Sequence, residues 1–239
     1  MKAEEIKSLY NRNYVEEYDA RFLESELTAA DTQHELQLLA SFLTPQTRWL
    51  DVACGTGYFL SRFPQTERVG LDLAPAMLER AKTANPGAEF RLHDFREPIP
   101  EWADRFGLVT CMWYAYGYVE SMRELSQLIR NLASWTAPSG RCFVPLADPD
   151  LLTRQTIPYR QDTGHKGSMF ITGILWSYEE DAQTVHGHML APNLQYMIEQ
   201  FQKFFEQVEI IRYPQVDPAI GRRPALVATR KKADSRRLR

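Results

Sequence analysis

Residues 49–60 read Trp49-Leu-Asp-Val-Ala-Cys-Gly-Thr-Gly-Tyr-Phe-Leu60. Trp49, Leu50 and Val52 form a short apolar run of strand formers, and Gly55 and Gly57 follow where the chain has to turn. Lacking a Cβ, those glycines let the backbone bend sharply and lie close to a ligand before a helix begins. Asp51 falls at the carboxyl end of the predicted strand, the edge of an open parallel sheet at which ligands bind.

Outward from this stretch, strands and helices alternate. A strand at 68–72, a helix at 74–84, a strand at 88–93 ending on Asp94-Phe95, a strand at 106–112, a helix at 120–136 and a strand at 141–146 follow in turn. That rhythm predicts an α/β fold with a parallel sheet and helices on both faces. It breaks over 147–191, where 168–179 and 183–190 read as antiparallel strands of an inserted cap. A helix at 193–205 precedes strands at 208–213 and 225–229; with no helix between them, these two close the sheet as an antiparallel edge.

Upstream, residues 4–25 have a helical pattern that places Tyr10, Tyr14 and Tyr18 on one face at four-residue spacing. A second helix, 32–43, takes Asp31 as its N-cap and ends before Pro45. The chain reads as one domain, 1–229, with N-terminal helices over 4–43, a cap over 147–191 and a flexible basic tail over 230–239.

Composition narrows the functional class. The last ten residues hold six cations and one acid, Asp234, so they carry +5 of a formal net charge of −3 and leave −8 on the rest. An acidic body argues against a nucleic-acid surface. No apolar run approaches the roughly 20 residues of a membrane span. The charged N-terminus lacks the apolar region of a signal peptide, so the expectation is a cytoplasmic protein without a membrane partner. Cys54, Cys111 and Cys142 are odd in number and widely spaced, which reads as reduced structural thiols.

Taken together, Leu50-Asp-Val-Ala-Cys-Gly-Thr-Gly57, Gly70-Leu-Asp72-Leu-Ala-Pro-Ala-Met-Leu78 and Asp94-Phe95 resemble the class I S-adenosylmethionine (SAM) dependent methyltransferases. The layout is similar to the amino-sugar N,N-dimethyltransferases, although Trp113-Tyr114 departs from the smaller residues of that group. The third glycine of a dinucleotide-binding Gly-x-Gly-x-x-Gly is absent, because Leu60 stands in its place. The resemblance implies a Rossmann-like, mostly parallel seven-stranded sheet with an antiparallel final strand, helices on both faces and a small antiparallel insertion after the fifth strand. It also implies SAM as cofactor, with S-adenosylhomocysteine as its product.

Site residues follow from the same resemblance. Asp72 would accept from both ribose hydroxyls, Asp94 from the adenine amine, and the Phe95 backbone would meet the ring edge, while Leu73 and Met77 pack against adenine and ribose. Gly55 and Gly57 would lie against the amino-acid portion, Asp51 and Ala53 of the same stretch would also bind the cofactor, and Met112 would offer its carbonyl. Tyr18 and Arg21, in Tyr18-Asp-Ala-Arg21-Phe22, would cover the amino-acid end, and Tyr14 would point toward the transferable methyl. The same tyrosines, and Met77, also read as plain helix core, and Arg21 equally as a member of a solvated ion pair. Trp113, Tyr114 and Tyr116, with Tyr14, would line the acceptor pocket.

The implied reaction is methyl transfer from SAM to nitrogen or oxygen of a small, ring-containing metabolite. A general base is needed only if the nucleophile arrives protonated. Tyr14 and His188 are candidates, with His165 and His186 beside them in the insertion. His186 and His188 would share a strand face, yet with no third ligand apparent no metal is expected. Two other readings stay open: a SAM-fold binding or regulatory protein without catalysis, and a nicotinamide oxidoreductase.

Overall fold

A computed structural model describes residues 1–164, 167–181, 184–215 and 221–233. In chain order it contains α1 (Ala3–Leu9), α2 (Arg12–Tyr18), a π-helical turn (Asp19–Leu23), α3 (Ala29–Phe42), β1 (Arg48–Val52), α4 (Tyr58–Ser61), β2 (Glu67–Asp72) and α5 (Pro75–Ala84). Then come β3 (Glu89–Leu92), β4 (Phe106–Thr110), α6 (Met122–Trp135) and β5 (Thr136–Pro145). The insertion holds α7 (Pro149–Thr153), β6 (Arg160–Asp162), β7 (Ser168–Phe170), β8 (Gly173–Asp181) and β9 (Thr184–Pro192); α8 (Leu194–Gln202), β10 (Phe205–Arg212) and β11 (Pro224–Lys231) close the fold.

The main sheet has seven strands in the order β10-β11-β5-β4-β1-β2-β3. β1 pairs in parallel with β2 on one side and β4 on the other, with Asp51 opposite Gly70 and Thr110. β11 alone runs antiparallel, to β5 and to β10. The mostly parallel sheet with an antiparallel final strand is therefore present. The order in which the chain adds strands reverses at β1, from β2 and β3 on one side to β4 and β5 on the other, so a crevice opens at the carboxyl ends of β1, β2 and β4.

Alternation along β1 sends residues into two cores. Leu50 and Val52 join Val69, Leu71 and Val109 beneath Leu125, Leu128 and Leu132 of α6. Trp49 faces the opposite layer with Leu108, Phe143, Leu60 and Leu39. Both faces are covered, as a buried parallel strand requires. Cys54, Cys111 and Cys142 are buried free thiols within these layers. No helix among the described residues is long and apolar enough to cross a membrane.

Several boundaries differ from expectation. The single helix read over 4–25 breaks at Tyr10, because Asn11 caps a new helix by accepting from the Tyr14 N–H at 3.3 Å. The three rings still meet, with centroids 5.5 Å apart for Tyr10 and Tyr14 and 6.0 Å for Tyr10 and Tyr18. Asp31 does not cap α3; the helix starts earlier, and Asp31 pairs instead with Arg223 at 2.6 Å. The strand read over 168–179 is two, since Ser168–Phe170 pairs with β6 while β8 pairs with β9. β11 runs to Lys231, two residues into the segment read as a tail, and 234–239 lie outside the described residues.

Candidate active site: an acidic cleft walled by aromatic rings

A cleft of about 340 Å³ lies at the carboxyl edge of β1, β2 and β4. This is within the range of small-molecule pockets. Asp51, Ala53, Gly55, Asp72, Leu73, Met77, Asp94, Phe95 and Met112 all line it. Parallel register brings these together: the ends of β1, β2 and β3 and the loops after them share one rim.

Its floor is acidic. Asp51 is buried and accepts from Thr110 Oγ1 at 2.6 Å; burial pushes its carboxyl up to about 7. Asp72 accepts from the N–H of Gly55 and of Ala74, each at 2.8 Å, and burial raises its pKa despite those bonds. Neither carboxyl forms an ion pair with any Lys or Arg among the described residues. Such carboxyls are stabilised by a cationic ligand and oppose an anionic one. At the third strand end, Arg96 forks onto Asp94 with Nη2 at 2.6 Å and Nε at 2.9 Å. Burial pushes the Asp94 carboxyl up, but the Arg96 fork outweighs it and holds it below the ordinary range.

The two glycines of the turn separate into different jobs. Gly55 has φ +54° and open space, a Cβ there meeting only Met77 Sδ at 3.8 Å, so its bare backbone faces the cleft. Gly57 has φ +72°, and a Cβ would fall 2.6 Å from Asn85 Nδ2. Gly57 lies against the protein, outside the cleft wall, where Asn85 donates to its carbonyl at 3.1 Å and is held in turn by Arg68.

Tyr10, Tyr18, Phe22, Tyr118, Trp176, Tyr178 and His186 form the opposite wall. Tyr14 stands behind it, donating to Glu180 Oε2 at 2.7 Å. Arg21, expected at the amino-acid end of the cofactor, instead pairs with Glu180 Oε1 across the cap. Of the acceptor-side aromatics, Trp113 and Tyr114 line the cleft, each with positive φ. Tyr116 does not; it is core, with Oη accepting from the Ala147 N–H at 2.7 Å. Arg223 stacks over Trp113 and Tyr114 with its guanidinium carbon 5.0 and 4.9 Å from the ring centroids, and donates to Tyr114 Oη.

His186 and His188 do not share a face. A register shift in the β8–β9 ladder between Trp176 and Tyr178 breaks the two-residue alternation, leaving His186 buried in the cleft wall and His188 exposed with φ 55°. His188 is therefore removed from the cleft, and His165 lies outside the described residues. Sequence reading missed Arg96 and Arg223. The Asp94-x-Arg96 spacing is a local signal that could have found the first; no local signal marks the second.

Comparison with known proteins agrees with this geometry. Residues 50–140 match the methyltransferase domain family. A dTDP-4-amino-2,3,4,6-tetradeoxy-D-glucose N,N-dimethyltransferase of Saccharopolyspora spinosa is 31% identical over 139 residues, 57% of this chain and 55% of that protein. A trans-aconitate 2-methyltransferase of Methylobacterium radiotolerans is 32% identical over 103 residues, 41% of this chain and 37% of the relative. The chain spans about half the length, or less, of the curated relatives it matches. Among solved structures, a SAM-bound amino pentose methyltransferase from Micromonospora echinaspora superposes with a TM-score of 0.61 at 21% identity, covering 93% of this chain and 98% of that one. Magnesium protoporphyrin IX methyltransferase from Synechocystis gives 0.60 at 13% identity, covering 95% and 96%. Residues 50–140 thus match a methyltransferase domain, and the chain as a whole has the Rossmann-like fold of these S-adenosylmethionine-dependent methyltransferase structures.

Proposed function

We propose that this chain is an enzyme that transfers a methyl group from SAM to nitrogen or oxygen of a small, uncharged, ring-containing metabolite. The observation that carries the reading is the buried carboxyl pair Asp51 and Asp72, without a cationic partner among the described residues, at the crevice where β1 meets β2 and β4. A sulfonium bearing an α-ammonium suits that floor. A pyrophosphate does not, which counts against a nicotinamide cofactor.

The residues present fit SAM. Asp72 keeps lone pairs beyond the two it gives to backbone N–H groups, enough to accept from ribose hydroxyls. Leu73, Met77 and Phe95 supply an apolar slot for adenine, with Asp94 at its edge. Gly55 leaves room for the amino-acid portion, and Tyr18 presents a π surface for a cation, worth about 0.5 to 2 kcal/mol. Bound there, the cofactor supplies an electrophilic methyl group.

The chain's own part is placement and exclusion of water. Trp113, Tyr114, Tyr118, Trp176 and Tyr178 surround the space left for the acceptor, and ring faces hold flat apolar bodies. Arg96, which lines the cleft, and Arg21 and Arg223, which stand behind its lining residues, are each paired with a carboxylate. That leaves little to hold an anionic acceptor and favours an uncharged one.

Incubation with methyl-labelled SAM and a low-mass metabolite extract, followed by mass spectrometry, tests the reading. Label should enter a small product as S-adenosylhomocysteine accumulates. Binding of SAM with no turnover across amine, hydroxyl and carboxylate acceptors would support the non-catalytic alternative instead.

A further inference from the structure

Five polar side chains from four parts of the chain join in one line along the cleft wall. Tyr10 Oη and Tyr118 Oη are 2.7 Å apart; Tyr118 Oη is 2.6 Å from His186 Nδ1; His186 Nε2 is 3.0 Å from Tyr14 Oη and 3.2 Å from Glu180 Oε2. Tyr14 donates to Glu180 Oε2 at 2.7 Å, and Arg21 pairs with the other Glu180 oxygen. Tyr10, Tyr118 and His186 face the cleft, while Tyr14 and Glu180 stand behind.

Counting protons gives the line a direction. Tyr14 has one proton and gives it to Glu180, so its oxygen faces His186 Nε2 as an acceptor and Nε2 carries the hydrogen. His186 Nδ1 then holds a lone pair, and Tyr118 donates to it. Tyr118 has spent its proton, so Tyr10 donates to Tyr118. The Tyr10 oxygen is left as the open accepting end.

From this geometry we infer that His186 is the proton acceptor of the cleft, reached through Tyr118 and Tyr10 and held in its tautomer by Glu180 and Tyr14. The inference rests on the methyltransferase reading. As the acceptor oxygen or nitrogen bonds to carbon, its proton passes to Tyr10 Oη, that of Tyr10 to Tyr118 Oη, and that of Tyr118 to His186 Nδ1. One O–H or N–H bond breaks at the acceptor and one N–H bond forms at the imidazole. The imidazolium replaces the positive charge lost when the sulfonium is demethylated, and Glu180 lies beside it.

Burial is the main cause holding the phenols protonated. Tyr118 is pushed up to about 12, and Tyr10, Tyr14 and Tyr18 are raised as well. They conduct a proton without storing it. Among the described residues, the titratable and charged groups facing His186 are Tyr14 from α2, Tyr10 from the break before it, Tyr118 from the loop after β4, Tyr178 and Glu180 from β8, and Arg21 through Glu180. Tyr10 touches substrate in this scheme; Tyr118 and Glu180 act through others and are positioning residues.

Imidazole nitrogen NMR on the full chain, with S-adenosylhomocysteine as the probe ligand, reads the tautomer without turnover. His186 should be Nε2-protonated with Nδ1 accepting a hydrogen bond, and Tyr118→Phe should abolish that bond's shift while S-adenosylhomocysteine affinity changes less than threefold. An Nδ1-protonated ring would overturn the relay. In parallel, the rate of S-adenosylhomocysteine release with the metabolite extract should fall at acid pH in the wild type. Tyr118→Phe and His186→Gln should each lower kcat at least tenfold and flatten that acid limb, with KM for SAM unchanged. An intact limb in both folded variants would sink the relay alone. A wild-type chain that shows the predicted tautomer but no transfer would sink the methyltransferase reading instead.

Discussion

Gly55 donates its backbone N–H to Asp72 Oδ2 at 2.8 Å, so the carboxylate that ends β2 holds the turn that follows β1. The second oxygen of Asp72 accepts from the Ala74 N–H and so sets the start of α5. One side chain therefore fixes both lips of the cleft.

Replacing Asp72 with Ala should weaken SAM binding by at least tenfold, about 1.4 kcal/mol or more, because two backbone donors, and the two ribose hydroxyls of the proposed site, would lose their acceptor. Calorimetry measures it. Affinity within threefold of wild type would remove Asp72 from the ribose site.

The turn glycines should respond oppositely. Gly57→Ala forces a left-handed alanine against Asn85 and should cost about 2 to 4 kcal/mol of stability by denaturant unfolding. Gly55→Ala has space and should cost about 1 kcal/mol, while its methyl group projects beside Met77 and lowers SAM affinity. Equal stability losses would contradict this division.

Glu35 is fully buried, accepts from Tyr213 Oη at 3.0 Å, and burial pushes its carboxyl up to about 7. An acid whose folded pKa is raised binds more protons folded than unfolded, so stability falls as pH climbs from about 4.5 to 7. Glu35→Gln, which keeps an acceptor for Tyr213, should add about 1 to 3 kcal/mol at pH 8 and nearly nothing at pH 4.5. Thermal melts of both proteins across that window check the sign.

The Lys231 side chain is buried at the end of β11 and donates to Asp104 Oδ1, Ser134 O and Thr136 O at 2.6, 3.0 and 2.8 Å. Truncation after Thr229 should therefore destabilise the chain by about 3 kcal/mol or more, since it removes Lys231 with its ion pair and its two bonds to backbone carbonyls. Ending the chain after Ala233 keeps those bonds and should cost less stability than the cut after Thr229. Similar behaviour of the two truncations would mean that Lys231 contributes little.

What could be read from sequence was local. Strand, glycine turn and strand-end acids lie within short windows, and parallel register carries Asp51, Asp72 and Asp94 to one rim without further information. Chain breaks and distant partners were not legible. Asn11 cut the first helix by capping, Asp31 left its expected cap for an arginine 192 residues away, and a bulge turned His188 outward while keeping His186 in the wall. The tyrosine stripe was visible, but the cap residues that tie it down, Glu180 and His186, belong to a hairpin whose register no local pattern sets.

The central claim, that the acidic crevice holds a cationic adenosyl ligand, is tested most directly by titrating the chain calorimetrically with SAM, S-adenosylhomocysteine and NAD. The account predicts saturable binding of SAM and S-adenosylhomocysteine, lost by at least tenfold in Asp72→Ala, and no measurable heat with NAD. Saturable NAD binding with none for SAM would contradict it.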